Sequence, residues 1–404
     1  MSNKLRYTIT ERECFVRGGH SDDPHIIPLD EQSFDRLEDF GSTEKFSVIY
    51  KFKLSDGRDA LRSRHYTGAI VLKDGTMIEI LPQFSRDSDE NAVFSKATIL
   101  QMLREMNETP VKHVDELYFK KEQLNLFEIF VRMFAEEVTD IVRNGLKMAY
   151  VPYRGNEMFV KGKTIYHIHA KKNFAHKERF FVEYDVFSVN RAENRLIKST
   201  LLLLDKLSTN RLNRKMLHAL IPEFDDVEKS LNYKTDFDAN VLDRSMNRYN
   251  NAIKWARLFL LNRESSTFFN GGKVAYALLL PLDKIFSSYI AAGLRHSINR
   301  NRYYFMTPDS ISNSIRKSGK DAYNVPLPNF YIKNRFTGEI TNIRFRFTSA
   351  ADINTKYDGD AKVIFPITKT LNTSADTMPD NRFLLNMNED VDEGISILKN
   401  SLFG

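Results

Sequence analysis

The spacing of hydrophobic and polar positions changes several times along the chain, and each change predicts a different kind of element. Residues 1–85 alternate as strands do, and the runs "FSVIYKFKL" and "AIVLKDGTMIEILPQF" are rich in β-branched and aromatic residues. Asp74 and Gly75 stand between two apolar runs, which is typical of a tight hairpin. The pattern predicts a small, mostly antiparallel β unit that ends in the polar stretch "SRDSDEN" at 85–91.

Residues 92–148 have a helical period instead. The run "AVFSKATILQMLREMN" predicts one helix, and "LNLFEIFVRMFAEEVTDIVRNG" predicts a second with a clearer pattern. Apolar residues of the second run fall on one stripe of a helix: Leu126, Phe130, Met133, Phe134, Val138, Ile141 and Val142. Gly145 follows directly and predicts the end of the helix, because glycine readily adopts the left-handed conformation found there.

A strand-like pattern returns over residues 149–187, and its central part is basic. The cationic residues between 154 and 181 are Arg154, Lys161, Lys163, Lys171, Lys172, Lys177 and Arg179, with Phe159, Tyr166, Phe174, Phe180 and Phe181 among them. The pattern predicts a basic, aromatic-bearing hairpin that meets nucleic acid or an acidic partner, or else a solvated strand face. His167 and His169 would share a face of this predicted strand, but no third metal ligand is evident.

The remainder of the chain mixes helices and strands. A helix is predicted from about Glu193 to Leu207, more helical sequence extends to about Arg263, and "VAYALLLPLDKIFSSYIAAGLRHSI" predicts a further amphipathic helix. Short strands are predicted at 329–333, 341–347 and 362–366. The expected class is α+β, divided into a β-rich domain over 1–90 and two further domains over 91–215 and 216–404.

Composition and missing motifs narrow the possible functions. Hydrophobic residues make up 42% and charged residues 28%, as in folded proteins, and a net charge of +6 is compatible with nucleic acid without demonstrating it. The single cysteine, Cys14, excludes an internal disulfide and a cysteine zinc site, and no apolar run approaches a membrane span, so we expect a cytoplasmic protein. The chain has neither a phosphate-binding loop of the GxxxxGK[ST] type nor a Gly-x-Ser-x-Gly elbow.

Three stretches taken together resemble the McrC family, the partner subunit of the McrB GTPase in modification-dependent restriction systems. They are "NLFEIFVRMFAEEVTDIVRNGLKMAYV", "GNEMFVKGKTIY" and "EYDVFSVNRAENRLIKSTLLLL". The positions that carry the resemblance are Gly145, Tyr150, Glu157, Gly162, Lys163, Asp185, Asn190, Asn194 and Arg195. The stretch "YTGAIVLKDGTMIEILPQF" also resembles the β-rich leader of longer members.

The resemblance implies that residues 91–215 form a finger that enters the central pore of an McrB-type AAA+ hexamer and stimulates its hydrolysis of GTP or ATP. The implied partner-binding residues are Arg154, Glu157, Lys161, Lys163, Lys171 and Lys172. We interpret Asn190, Asn194 and Arg195 as residues that cap the following helix and tie it to the preceding strand, with Arg195 paired to Asp185.

The resemblance also implies a PD-(D/E)xK nuclease in the C-terminal half, whose chemistry needs carboxylates that hold Mg²⁺ and a lysine. The corresponding positions carry Ser287, Asn329, Arg344 and Arg346, which are poor or repulsive ligands for Mg²⁺. We therefore expect a nuclease-like domain that has lost catalysis and needs no cofactor. Its arginines Arg335, Arg344 and Arg346 would contact DNA phosphates instead.

Two alternatives remain. Asp309, Asp360 and Lys362 imitate the nuclease motif, so the chain could be an active Mg²⁺-dependent endonuclease subunit of the same restriction complex. However, Asp360 precedes an apolar strand, whereas the motif aspartate ends one. The other alternative is a DNA-binding protein that acts without a motor.

Overall fold

The computed structural model describes residues 5–10, 13–41, 48–64, 66–82, 91–104, 110–111, 124–239, 244–261, 274–306, 330–345, 362–367 and 382–386. Its strands are β1 Arg6–Thr10, β2 Cys14–Arg17, β3 Ile26–Leu29, β4 Ile49–Lys53, β5 Asp59–Ser63, β6 Tyr66–Leu72, β7 Met77–Leu81, β8 Ala149–Glu157, β9 Lys163–Thr164, β10 Phe180–Ser188, β11 Val274–Pro281, β12 Tyr303–Met306, β13 Phe330–Asn334, β14 Ile340–Phe345, β15 Lys362–Ile367 and β16 Arg382–Asn386. The α-helices are α1 Glu31–Gly41, α2 Asn91–Arg104, α3 Leu126–Arg143, α4 Tyr166–Lys172, α5 Ala192–Leu207, α6 Arg211–Leu220, α7 Tyr233–Asp238, α8 Asn250–Leu261 and α9 Leu282–Ser297, and short 3₁₀ segments lie at Ile221–Phe224 and Arg244–Tyr249.

The chain forms two compact units, one of residues 1–127 with 265–404 and the other of residues 128–264. Both contain helices and strands, so the α+β class is confirmed. The division into three consecutive domains at 1–90, 91–215 and 216–404 stays a prediction.

The N-terminal part of the first unit has two four-stranded sheets, in the orders β1-β7-β6-β11 and β3-β2-β5-β4. The β6–β7 hairpin turns at Asp74 and Gly75 as predicted, with Gly75 at a φ of 89° and the Asp74 carboxylate accepting a hydrogen bond from the Thr76 amide. Two pairings, β1 with β7 and β2 with β3, are parallel. The alternation of side chains identifies a strand but not its partner, so the sequence could not show this.

Helix α1 lies within the region that the sequence pattern predicted as strands only. Its buried residues Phe34, Leu37 and Phe40 recur every three positions, and the Asp30 carboxylate accepts from the Ser33 amide at its start. These side chains share a core with Phe15, Leu61, Ile70, Ile78, Ile80 and Ala277 from the two sheets.

The single helix predicted within 274–298 is wrong in its first third. Residues Val274–Pro281 form strand β11, which pairs antiparallel with β6, and the helix α9 begins only at Leu282. A short continuous apolar run such as "VAYALLLP" does not separate a buried strand from a buried helix. Gly68 permits the pairing, since a Cβ there would collide with the Leu278 carbonyl.

The last sheet has the order β12-β13-β14-β15-β16. Its first three strands pair antiparallel, and β14, β15 and β16 pair parallel. The three strands predicted near 329–333, 341–347 and 362–366 are confirmed as β13, β14 and β15. Helix α9 precedes this sheet in the chain, so the order is a helix followed by a mixed sheet.

The second unit is built on helix α3, which ends as predicted before Gly145 at a φ of 81°. Its apolar stripe packs on α8, where Phe130 meets Trp255 with ring centroids 5.3 Å apart and Phe134 meets Phe259. The fully buried Glu128 carboxylate accepts from the Thr209 and Asn210 amides, the Ser208 hydroxyl and the Asn213 amide group. This network joins α3 to the start of α6.

Candidate functional site

Strands β8 and β10 form a long antiparallel ribbon in the second unit. They pair over their whole length, from Ala149 opposite Ser188 to Glu157 opposite Phe180, which corresponds to roughly 30 Å of extended chain. The short strand β9 adds to the outer edge of β10, with Thr164 opposite Val182. We use "the ribbon" for residues 149–188. A two-stranded ribbon is marginally stable by itself, so its fixed points matter.

Asn194 fixes the base of the ribbon. Its side-chain nitrogen donates to the carbonyls of Lys147 at 3.1 Å and Val189 at 2.7 Å, residues that stand just before β8 and just after β10. Asn194 is fully buried in helix α5, so the chain just before β8 and the chain just after β10 are both held to this helix. The Lys147 amide in turn donates to the Tyr249 hydroxyl at 3.0 Å. Burial raises the pKa of Tyr249, so it stays a neutral phenol.

The interpretation of Asn190, Asn194 and Arg195 is wrong for the helix cap, but their tie to the end of the preceding strand is confirmed. The N-cap of α5 is Arg191, and it has no side-chain capping bond. The Arg195 guanidinium binds the carboxylate of Asp236 at 2.6 and 3.2 Å and the Asn190 carbonyl at 2.7 Å, and the Asn190 side chain accepts from the Glu228 amide. These polar residues therefore join strand, helix and loop instead of closing one helix end.

The expected pair of Arg195 with Asp185 is also wrong. Arg195 reaches Asp236, a largely buried residue of α7, whereas Asp185 lies opposite Pro152 on the ribbon with an exposed side chain. The pairing of a partly buried guanidinium depends on which carboxylate the fold brings near, and Asp236 lies 41 positions along the chain.

The histidines lie on a helix and not on the predicted strand. His167 and His169 belong to α4, where residues two apart point in different directions, so the shared face on which the metal-pair alternative depended is absent. His169 stacks on Phe180 at 5.8 Å and contacts the Asn173 amide group through its Nδ1. Among the described residues no group of three or more His, Cys, Asp or Glu could hold a metal ion.

A reciprocal amide pair fixes the far end of the ribbon. The Asn156 and Asn173 side chains donate to each other at 2.8 and 2.7 Å, and Asn173 also donates to the Arg179 carbonyl. Position 162 requires glycine, because its φ is 62° and a Cβ there would collide with the Glu183 carbonyl. The connecting segments are thus bound to the strands at defined points.

The structure places all of the predicted partner-binding residues on this ribbon, and several contact other ribbon residues. Arg154 pairs with Glu183 at 2.8 Å, Lys161 lies over the Tyr184 ring, and Lys172 lies over the Phe181 ring. Glu157 accepts from the Tyr153 hydroxyl, and this hydrogen bond raises the pKa of Tyr153. Lys163 and Lys171 are exposed.

The sequence pattern marks Phe159 and Phe174 as aromatics of the basic hairpin, but it does not mark Met158 and Val160 or predict that these side chains are exposed at the far end. Met158, Phe159 and Val160 follow β8 and are 63%, 75% and 57% exposed, and Phe174 after α4 is 86% exposed. The available signal was three apolar residues in a row directly before the Lys161-Gly162 turn, where a solvated loop would be polar.

A known protein family matches most of this chain. The family described as McrBC 5-methylcytosine restriction system component matches residues 61–359. The chain belongs to this family. No curated protein sequence matches it.

Two solved structures resemble this McrBC-family chain in fold. The refined half-complex of a tetradecameric assembly of Thermococcus gammatolerans McrB AAA+ hexamers with bound McrC aligns at a TM-score of 0.65 and 16% identity, over 99% of this chain and 100% of that one. The cryo-EM structure of the Thermococcus gammatolerans McrBC complex aligns at 0.50 and 18% identity, over 73% of this chain and 89% of that one. At these identities the likeness shows the fold.

The positions compared with a nuclease centre are only partly described. The Ser287 hydroxyl donates to the Lys284 carbonyl at 3.0 Å within helix α9. Arg344 lies on β14 opposite Val363, and Lys362, the first residue of β15, lies opposite Ile343. Asn329, Arg346, Asp309 and Asp360 lie outside the described residues.

The three arginines predicted to bind DNA do not all lie together on the sheet. Arg335 is in the turn before β14, with its guanidinium over the Tyr304 ring, and Arg344 is near the other end of β14. The four steps along β14 from Ile340 to Arg344 correspond to about 13 Å of strand.

In the described parts of the chain, every helix is too short or too polar to cross a lipid bilayer.

Proposed function

We propose that this chain is the McrC-type subunit of a modification-dependent restriction or phage-defence system. It binds an McrB-type AAA+ hexamer through its second unit and stimulates nucleotide hydrolysis there. The observation that carries this proposal is the ribbon, a projection of roughly 30 Å that is fixed at its base by Asn194. The bound McrC in the Thermococcus gammatolerans assembly, which shares this fold, supports the assignment.

The physical role of the ribbon follows from its length and its fixed contacts. A narrow ribbon fits the central pore of a ring and can place polar groups against the partner's own nucleotide sites. The chain has no phosphate-binding loop of its own, so it would act by ordering residues of the motor. Because amide side chains hold both the base and the far end, little order has to be gained on binding.

The decisive experiment combines the purified chain with its McrB-type partner and measures hydrolysis of GTP and of ATP. We expect a complex and a higher turnover than the partner shows alone, and the preferred nucleotide identifies the motor's substrate. Neither binding nor stimulation with either nucleotide would contradict the proposal. Tight, salt-sensitive DNA binding by the isolated chain in that case would favour the DNA-binding alternative.

For the C-terminal part we propose a PD-(D/E)xK-like domain that contacts DNA without cutting it. A mixed sheet preceded by helix α9 supports this proposal, as do Ser287 and Arg344 at the positions where acidic ligands are expected. Arg335, Arg344 and Arg346 would bind phosphates, since guanidinium groups suit them and repel Mg²⁺.

A further inference from the structure

The far end of the ribbon carries exposed apolar side chains on two loops. Met158, Phe159 and Val160 follow β8, which ends at Glu157 opposite Phe180, and Phe174 follows Asn173. The Asn173 side chain is bonded to Asn156 and to the Arg179 carbonyl, so both loops lie at the same end of the ribbon. We name Met158, Phe159, Val160 and Phe174 the ribbon tip.

The ribbon tip is exposed to an unusual degree for side chains of this kind. All four residues are more than half exposed. Apolar side chains grouped on a projecting element mark interaction sites, whereas single scattered ones need no explanation. The tip is held in place by the required glycine at position 162 and by the hydrogen bonds between the Asn156 and Asn173 side chains.

The cationic residues beside the tip are less available to a partner than their number implies. Arg154 already pairs with Glu183, and Lys161 and Lys172 lie on aromatic rings of the ribbon. Ion pairs at exposed positions contribute little to affinity because water and salt screen them. Buried aromatic residues, by contrast, dominate the energetics of most interfaces.

We propose that the ribbon tip is an apolar plug that anchors this chain in the partner ring. The occupant is a pocket or constriction of aliphatic or aromatic side chains on an McrB-type hexamer. Its surroundings are acidic or hydrogen-bonding, to complement the exposed Lys163 and Lys171 next to the tip. This inference rests on the proposed function and deepens it, because it assigns the affinity to the tip and leaves orientation to the charges.

An apolar anchor has a signature that an ionic one lacks. Its affinity is nearly independent of salt, whereas exposed charge pairs weaken as the ionic strength rises. Burial of apolar surface also makes the heat capacity change of binding negative. Both properties can be measured on the assembled complex by calorimetry.

The test uses a double variant that carries both Phe159→Ser and Phe174→Ser, and compares it with two controls. Leu231→Ser removes a 99% exposed leucine elsewhere in the second unit, so it makes the same kind of surface change outside the ribbon. Lys163→Ala with Lys171→Ala removes the neighbouring charges. Fluorescence of the single tryptophan, Trp255, follows unfolding and shows that each variant keeps its fold.

We expect the tip variant to bind the hexamer at least about 30-fold more weakly, and Leu231→Ser to bind normally. Wild-type affinity should change by less than about threefold between about 50 and 500 mM salt. Normal binding by the folded tip variant would overturn the inference and leave the proposed function standing. An affinity that falls steeply with salt and is lost in the lysine variant would have the same consequence. A wild-type chain that binds no McrB-type hexamer would overturn both.

Discussion

At the scale of single residues, the function of a side chain in this protein depends on the groups that the fold brings near it. Asn194 and Asn190 have the same side chain and lie four positions apart. Asn194 is fully buried and donates to two backbone carbonyls, whereas Asn190 lies outside the helix and accepts from a distant amide. The sequence motif marked both positions, but it did not show which one holds the ribbon.

We expect Tyr249 to make the second unit sensitive to alkaline pH. Burial raises its pKa above the unfolded value of about 10, so its contribution to stability is full below that pH and falls as the pH rises further. We expect Tyr249→Phe to cost about 1 kcal/mol at neutral pH, because the Lys147 amide loses its acceptor, and to reduce the alkaline loss. Urea unfolding followed by Trp255 fluorescence at about pH 8 and about pH 10.5 measures both effects. An equally steep loss in the variant would contradict this assignment.

At the scale of elements, a clear helical period of apolar residues predicted a helix correctly, whereas runs without such a period were assigned to the wrong kind of element. Helix α3 follows from its apolar stripe and Gly145, because an amphipathic helix carries its burial pattern in its own sequence. The pattern predicts helix where strand β11 forms, since a run that is apolar throughout contains no period. The pattern predicts strand where helix α4 forms, because none of the residues of this helix is buried and it has no apolar face.

The attachment of the ribbon to α5 provides a test at this scale. We expect Asn194→Asp to destabilise the second unit by about 1–3 kcal/mol, because the buried carboxylate cannot donate and faces two carbonyl oxygens. Amides of β8 and β10 should exchange hydrogen faster, and stimulation of the partner should fall. Asn144→Asp is the matched control, since Asn144 also donates to a carbonyl but from an exposed site. Unchanged exchange in the ribbon would show that its base is held by other contacts.

At the scale of the whole molecule, the chain combines a family fold with a C-terminal sheet whose nuclease chemistry we expect to be lost. Helix α9 and the mixed order of β12 to β16 are compatible with a nuclease scaffold, but a scaffold does not define an activity. Activity depends on the side chains that meet at the ends of the strands. At the positions where the resemblance expects metal ligands, Ser287 carries a hydroxyl and Arg344 a guanidinium, and neither is a usual ligand for Mg²⁺.

The assembled complex should therefore not cut DNA through this chain. We expect no cleavage of modified or unmodified DNA in the presence of Mg²⁺ beyond that of the partner alone, and no effect of Asp360→Ala. Gel analysis of plasmid and linear substrates measures this, with Lys362→Ala as a second variant. Mg²⁺-dependent cleavage that either substitution abolishes would establish the active endonuclease alternative.

The sequence by itself determined the α+β class, the long helix α3, the turn at Asp74 and Gly75, and the resemblance that led to the McrBC family. These features depend on residues close together in the chain, where periodicity and turn chemistry act directly. The tertiary structure decided that Arg195 pairs with Asp236, that β11 joins the sheet of β6, and that an apolar tip projects from the basic ribbon. Those features depend on which distant groups come together and which side chains remain uncovered, and local spacing does not contain that information.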